Sequence, residues 1–372
     1  MRYGNRFSRV AVATGVCASA FFFLVTAASA GEEIADAWKV KGRLIGEPKK
    51  DDPAERKKAS DVSGIACIPG PGLPQVCLVV DDEVEHAQVL LLEDGRLRAG
   101  DCITLSGDCK ATRVLEIDAE GVAYAGGAFY VIGSHGRPRN NDGNMSDAAV
   151  AERLKAASAL YTVRLADGSV DLDDGDLSAP PSVTRSEGLV AAIKGQSDLS
   201  SRYNLPIDDG GISVEGIAAT DANLIVGFRT PVIDGKTPLL AVSRTALDEG
   251  TAPESKLSYL DLGQYSLNEP RGIRDLAVVG NSLMVLAGPS DDPKDFNARA
   301  GDYQIYSVDF DQAGLPDPAT LHKVRDLPAF GDDRKPESVV YLQSPNSGLR
   351  ALVLSDGVKE AKPTPVDLSF GG

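Results

Sequence analysis

The stretch Asp118–Gly136, DAEGVAYAGGAFYVIGSHG, decides the fold. An acidic D-x-E-G leads into a short strand, Val-Ala-Tyr, and Ala-Gly-Gly supplies a turn. Phe129 to Ser134 then runs back toward His135. Adjacent glycines accept the positive φ values that tight hairpin turns need, so the stretch is expected to form a β-hairpin.

The same plan begins five times along the chain. Asp61 opens DVSGIAC and returns through VCLVVDDE; Asp118 opens the stretch above. Ser213 opens SVEGIAA and returns through NLIVGFR, Gly272 opens GIRDLAV and returns through SLMVLAG, and Pro336 opens PESVVYL and returns through LRALVLSDG. Third strands follow four of these hairpins at AQVLLLED, ALYTVRLADG, PLLAVSRTAL and YQIYSVDF, and fourth strands are expected at CITLS, KLSYLDL and HKVRDL. Aligning Gly64, Gly121, Gly216, Asp275 and Ser338 gives steps of 57, 95, 59 and 63 residues. Three of these steps suit one four-stranded antiparallel blade. Such a blade cannot bury both faces alone, so blades arrange radially into a β-propeller. The long step is one blade plus an insertion near residues 137–158, with a helix at about Asp147–Ala159 capped by Ser146. Five blades are counted, starting near residues 61, 118, 213, 272 and 336. A sixth would have to begin at SEGLVAAI, only 28 residues before Gly216. The last repeat is short, and the N-terminal strand KVKGRLIGE is expected to complete it and close the ring. Between that strand and the first repeat, KKDDPAERKKAS reads as a charged connector.

Residues 1–30 have the form of a secretory signal peptide. Arg2, Arg6 and Arg9 precede the apolar run Ala11–Val25, and Ala28-Ser29-Ala30 supplies small residues for cleavage near Ala30. Residues 31–372 then form one propeller domain, periplasmic or secreted, with no later segment suited to crossing a membrane. Losing the three arginines takes the formal charge from −16 to −19. That surface disfavours nucleic acid and anionic lipid as partners, and a monomer is expected. Cleavage leaves four of the five cysteines, Cys67, Cys77, Cys102 and Cys109. An even number in an exported chain suggests disulfides. Three pairings exist; Cys67–Cys77 and Cys102–Cys109 are favoured because each flanks a short turn. Zinc is the rival reading, but neither pair has C-x-x-C spacing and no histidine lies close by.

In an antiparallel hairpin the start of one strand lies beside the end of the next. With the first strand innermost, the repeats converge on one mouth of a central channel. There Ser63 meets Asp82 and Glu83, Glu120 meets Ser134 and His135, Glu215 meets Arg229, Arg274 meets Gly288 and Pro289, and Glu337 meets Ser355 and Asp356. A network of offsetting charges that plugs the axis is one reading of these groups. A ligand site is the other. Glu120, Glu215 and Glu337 are candidate ligands for calcium, a hard cation that prefers oxygen. Arg229 and Arg274, with Ser134, Asp82 and Glu83, are candidates to hold a small anionic molecule. His135 is the candidate acid or base, because no other repeat has a histidine there. No G-x-S-x-G elbow, P-loop or dinucleotide fingerprint occurs.

Taken together, DVSGIA, VVDDE, D-x-EGVA, YVIGSH, VEGIA, IVGFRTP, GIRDLA, LAGP and PESV resemble a bacterial domain-of-unknown-function family, number 3616. The likeness runs from about Asp61 to the C-terminus. It implies a propeller and brings no established activity. A looser likeness, through the recurring E-G-(I/V)-A strand, is to propellers described as esterase-like or phytase-like. Three functions follow as expectations: a binding module for a small anionic or metal-bridged ligand, a hydrolase of phosphoesters or carboxylesters, and a scaffold for protein interaction.

Overall fold

The computed structural model describes Met1 and residues 34–368, apart from 71, 111–114, 141–142, 292–295, 332–333 and 345–347. The signal-peptide segment and its cleavage position lie outside the described residues.

Five sheets follow one another along the chain, each an antiparallel meander that starts at the axis and runs outward. The innermost strands are β1 (Val62–Cys67), β2 (Ala119–Ala125), β3 (Ser213–Ala219), β4 (Arg271–Val279) and β5 (Lys335–Ser344). Each packs against the next, and β5 returns to β1, so the blades form a closed ring. The hairpin that opened the sequence analysis is present: Gly126 and Gly127 both take positive φ, 57° and 76°, and join β2 to Ala128–Gly133. The third strands begin within a few residues of the expected positions, at His86, Leu160, Thr237 and Gln304.

Apolar packing lies between the blades. Alternate residues of each strand face opposite neighbours, and the buried side chains divide into five clusters, one for each blade-to-blade interface. Leu78, Val80, Phe129 and Val131 join blades 1 and 2; Tyr130, Ile132, Val214 and Val226 join blades 2 and 3. Leu239, Ile273 and Val285 join blades 3 and 4, and Leu286, Ile305, Val339 and Val353 join blades 4 and 5. Leu90, Leu92, Val340 and Leu352 complete the circle between blades 5 and 1.

Closure differs from the sequence expectation. The last sheet has three strands among the described residues, and the N-terminal segment does not complete it. Lys39–Lys41 instead runs parallel to Arg96–Arg98 on the outer edge of blade 1. Just before that strand, the Trp38 amide donates to the Pro363 carbonyl at 2.6 Å, tying blade 1 to blade 5 at the seam. The charged connector also contributes a strand, Arg56–Lys58, paired with Ile45–Pro48. Among the described residues the long second step holds one blade with two excursions and no sixth blade. The first contains the helix Asp147–Ala157, whose N-cap Ser146 accepts the Ala149 amide. The second begins where SEGLVAAI leaves the outer strand Ser182–Ser186 and turns into the helix Gly188–Lys194. Cys67 pairs with Cys77 and Cys102 with Cys109, as favoured from the sequence.

The glycines of the repeat mark where inner strands come too close for a side chain. A methyl on Gly64 would lie 2.8 Å from the Gly121 Cα, and one on Gly121 would lie 2.9 Å from the Glu215 carbonyl oxygen. Both obstacles are backbone. Blade 4 has Asp275 at this position, and its carboxylate bridges the gap by accepting the Val339 amide of the next inner strand at 2.8 Å. Gly121→Ala should therefore lower stability by about 1–3 kcal/mol through overpacking. Gly70→Ala, whose added methyl meets nothing within 4 Å, should leave the urea unfolding midpoint nearly unchanged.

Candidate functional site

All five inner strands carry a β-bulge at the same point of the repeat. The pairing register slips around Ser63, Glu120, Glu215, Arg274 and Glu337, leaving each without a direct cross-strand partner. A bulge bends its strand and re-aims one side chain. Repeated around the ring, it gathers polar groups at one end of the axis.

Four of the five lock into a charge network. Arg274, 1 % exposed, donates from Nη1 to Glu215 Oε2 at 2.7 Å and to Glu337 Oε1 at 3.1 Å. Arg229 donates from Nη1 to Glu215 Oε1 at 2.9 Å and from Nε to the Ser290 carbonyl at 3.2 Å. Ser63 Oγ donates to Glu337 Oε2 at 3.4 Å. Burial opposes the charged form of Glu215, but Arg274 and Arg229 outweigh it and hold its carboxyl below the usual range. Glu337 is pushed well up, first by burial and then by Asp356.

The fifth bulge residue behaves differently. Glu120 is 9 % exposed, and its side chain has no hydrogen bond or ion pair to another described residue. It faces Asp82 and Asp118, and one carboxylate oxygen of each lies within 4.8 Å of the others. Asp82 Oδ1 is buried without a partner among the described residues. Burial raises all three carboxyls; Glu120 adds to the rise at Asp82, and Asp118 to that at Glu120. At Asp118 a hydrogen bond from Ser134 Oγ works the other way. These groups open onto a cavity of about 350 Å³ at the mouth, lined by nine carboxylates and five cationic side chains.

The structure sorts the sequence candidates as follows. Asp82, Glu83, Glu120, Ser134, Glu215, Arg229 and Glu337 line the cavity. Arg274 is absent from the cavity wall and is engaged by Glu215 and Glu337. Among the described residues Glu120 comes together with Asp82 and Asp118 rather than with Glu215 and Glu337, which Arg274 engages. His135 is 1 % exposed and absent from the cavity wall. Its ring nitrogens have no partner among the described residues, and burial pushes it down to about 4. His86 is buried too, with Nε2 at 3.1 Å from the Ile45 carbonyl. Asp118 was missed as a site residue. Its signal was its place as opening acid of the repeat, shared with Asp61, which also lines the mouth.

Removing Arg274 would take from Glu337 its cationic partner and leave Glu215 with Arg229 alone. Arg274→Met should cost about 3–5 kcal/mol in chemical denaturation. A pH dependence follows from Asp81 and Asp356, which burial, with Asp61 adding to it, raises to about 7 and about 6. A carboxyl with a raised folded-state pKa holds its proton more tightly when folded, so its contribution is complete below pH ~4 and lost as pH climbs through the folded value. Melting temperature in chelator-treated buffer should therefore fall between pH 4 and pH 7, and Asp81→Asn should flatten the slope.

A family model described as "Protein of unknown function (DUF3616)" matches residues 78–165 and 173–367. Among curated proteins, none matches. Among solved structures, the chain is similar to the GH43 endo-arabinanase from Bacillus licheniformis at 12% identity and a TM-score of 0.34, over 88% of this chain and 95% of that one. An α-L-arabinofuranosidase from Lactobacillus brevis shares 10% identity at a TM-score of 0.44, over 83% and 90%. A GH32 β-fructofuranosidase from Bombyx mori shares 10% at 0.37, over 84% of this chain and 61% of that one. Likenesses this loose assign no activity to the chain. The family match, in contrast, runs from the second strand of blade 1 to the last strand of blade 5, and by it the chain belongs to the DUF3616 family of proteins of unknown function.

Proposed function

We propose that this propeller is a binding module whose channel mouth takes up a hard divalent cation, Ca²⁺ by its ligand chemistry, on Asp82, Asp118 and Glu120. The observation that carries this reading is the exception at Glu120. Four equivalent bulge residues join the network that plugs the axis, while the fifth is held against two more carboxylates and makes no ion pair among the described residues. Burying three such groups together is unfavourable unless protons or a cation neutralise them. Their spacing suits a cation. Two oxygens on opposite sides of a Ca²⁺ ion with ~2.4 Å bonds are ~4.8 Å apart, and the ion's remaining positions would go to water or a ligand. The two disulfides fit an oxidising compartment, consistent with a periplasmic or secreted protein.

Binding is favoured over the hydrolase reading built on His135, because the cavity wall contains no histidine among the described residues and that candidate acid or base lies outside the site. The test is calorimetric titration of chelator-treated protein with CaCl₂, alongside elemental analysis of the protein as purified. One ion per chain and a higher melting temperature are expected, with both effects lost in Asp82→Asn and Glu120→Gln. No binding heat and no thermal shift at about 10 mM Ca²⁺, beyond the range of weak extracellular sites, would sink the reading.

A further inference from the structure

We infer that the mouth receives a small hydroxylated carboxylic acid, its carboxylate held between the bound cation and the guanidinium of Arg229. The inference rests on the cation reading above and adds a second recognition group. Arg229 is 8 % exposed, and two bonds fix its plane, from Nη1 to Glu215 and from Nε to the Ser290 carbonyl. Its Nη2 has no hydrogen bond among the described residues, yet the side chain lines the cavity. A guanidinium anchored on one side and unfilled on the other is a preorganised receptor for an oxyanion. Arg229 also acts on the charges of both Asp118 and Glu120, so it stands close to the cation ligands.

The charge balance selects among oxyanions. Nine acidic and five basic side chains line the cavity, so acids outnumber bases there even where burial keeps one such as Glu337 protonated. A free anion is repelled and binds only by direct coordination, which makes binding ordered, cation first. Repulsion grows with ligand charge, so a carboxylate monoanion is favoured over a phosphate monoester dianion. Size and polarity narrow the class further. A cavity of about 350 Å³ lies near the small end of ligand sites, and its wall is mostly polar. A hydroxylated acid of roughly one sugar ring fits both conditions.

The experiment is calorimetric titration of the mature chain at saturating Ca²⁺ with glucuronate, glucose and glucose 6-phosphate, repeated with EDTA in place of Ca²⁺. Glucuronate should bind, glucose should not, and the phosphate monoester should bind more weakly. All binding should vanish in EDTA. Arg229→Lys keeps a cation beside Glu215 while losing the planar fork, and at saturating Ca²⁺ it should weaken glucuronate at least about tenfold, the loss expected for a charge-assisted hydrogen bond. If Ca²⁺ binds but glucuronate does not, this inference fails and the cation reading stands. Should glucuronate bind equally well in EDTA, the ordered bridge is overturned. Absence of Ca²⁺ binding removes both.

Discussion

Five edge strands meet at one axis, and the space between them is smaller than a side chain. Where Gly64 approaches Gly121, and Gly121 approaches Glu215, a single methyl group would overlap backbone. This crowding governs the rest of the molecule. It places glycine at the centre of three repeats, while blade 4 bridges the gap with Asp275 and blade 5 carries the small, buried Ser338. It also explains why the residue just before that position is bulged in every blade. A side chain that cannot fit between neighbouring strands is turned toward the mouth, where space opens.

Gathering five polar residues at one end of a low-dielectric channel creates an electrostatic problem with two solutions here. On one side Arg274 and Arg229 neutralise Glu215 and Glu337, giving a buried layer in which each acid has a cationic partner. On the other side Glu120, Asp82 and Asp118 meet without an ion pair among the described residues. The asymmetry has a local cause. Blade 2 returns through Ser134, which engages Asp118, whereas blade 3 returns through Arg229, which engages Glu215. The same bulge geometry thus yields a structural plug and an open site.

Much of the architecture was legible in the chain. Spacing of the E-G and equivalent pairs gave the blade count, and alternation gave most of the strands. Glu215 could be matched to Arg229 because both lie at the open end of one hairpin, where their side chains meet at 2.9 Å. Three features were not legible, each for a physical reason. Lys39–Lys41 pairs parallel to blade 1, and no short-range pattern distinguishes that edge from the edge of blade 5. His135 follows a strand end like the other rim residues, but its positive φ of 53° departs from the strand path, and it lies outside the cavity wall. The bulge, finally, leaves Glu120 out of the pairing, so that Asp118 rather than Glu120 meets Ser134.

By itself the sequence determined the repeat, the hairpins and the set of polar residues that reach the axis, because these depend on local periodicity and on turn chemistry. Only the tertiary structure decided which of those residues neutralise one another. Pairing across the axis depends on distances between strands more than fifty residues apart in the chain, as with Arg274 and Glu215. An error of one residue in register exchanges a salt bridge for an unpaired carboxylate. Glu120 and Glu215 occupy the same place in nearly identical sequence motifs, and the side chains around them, not the motif, give them different roles.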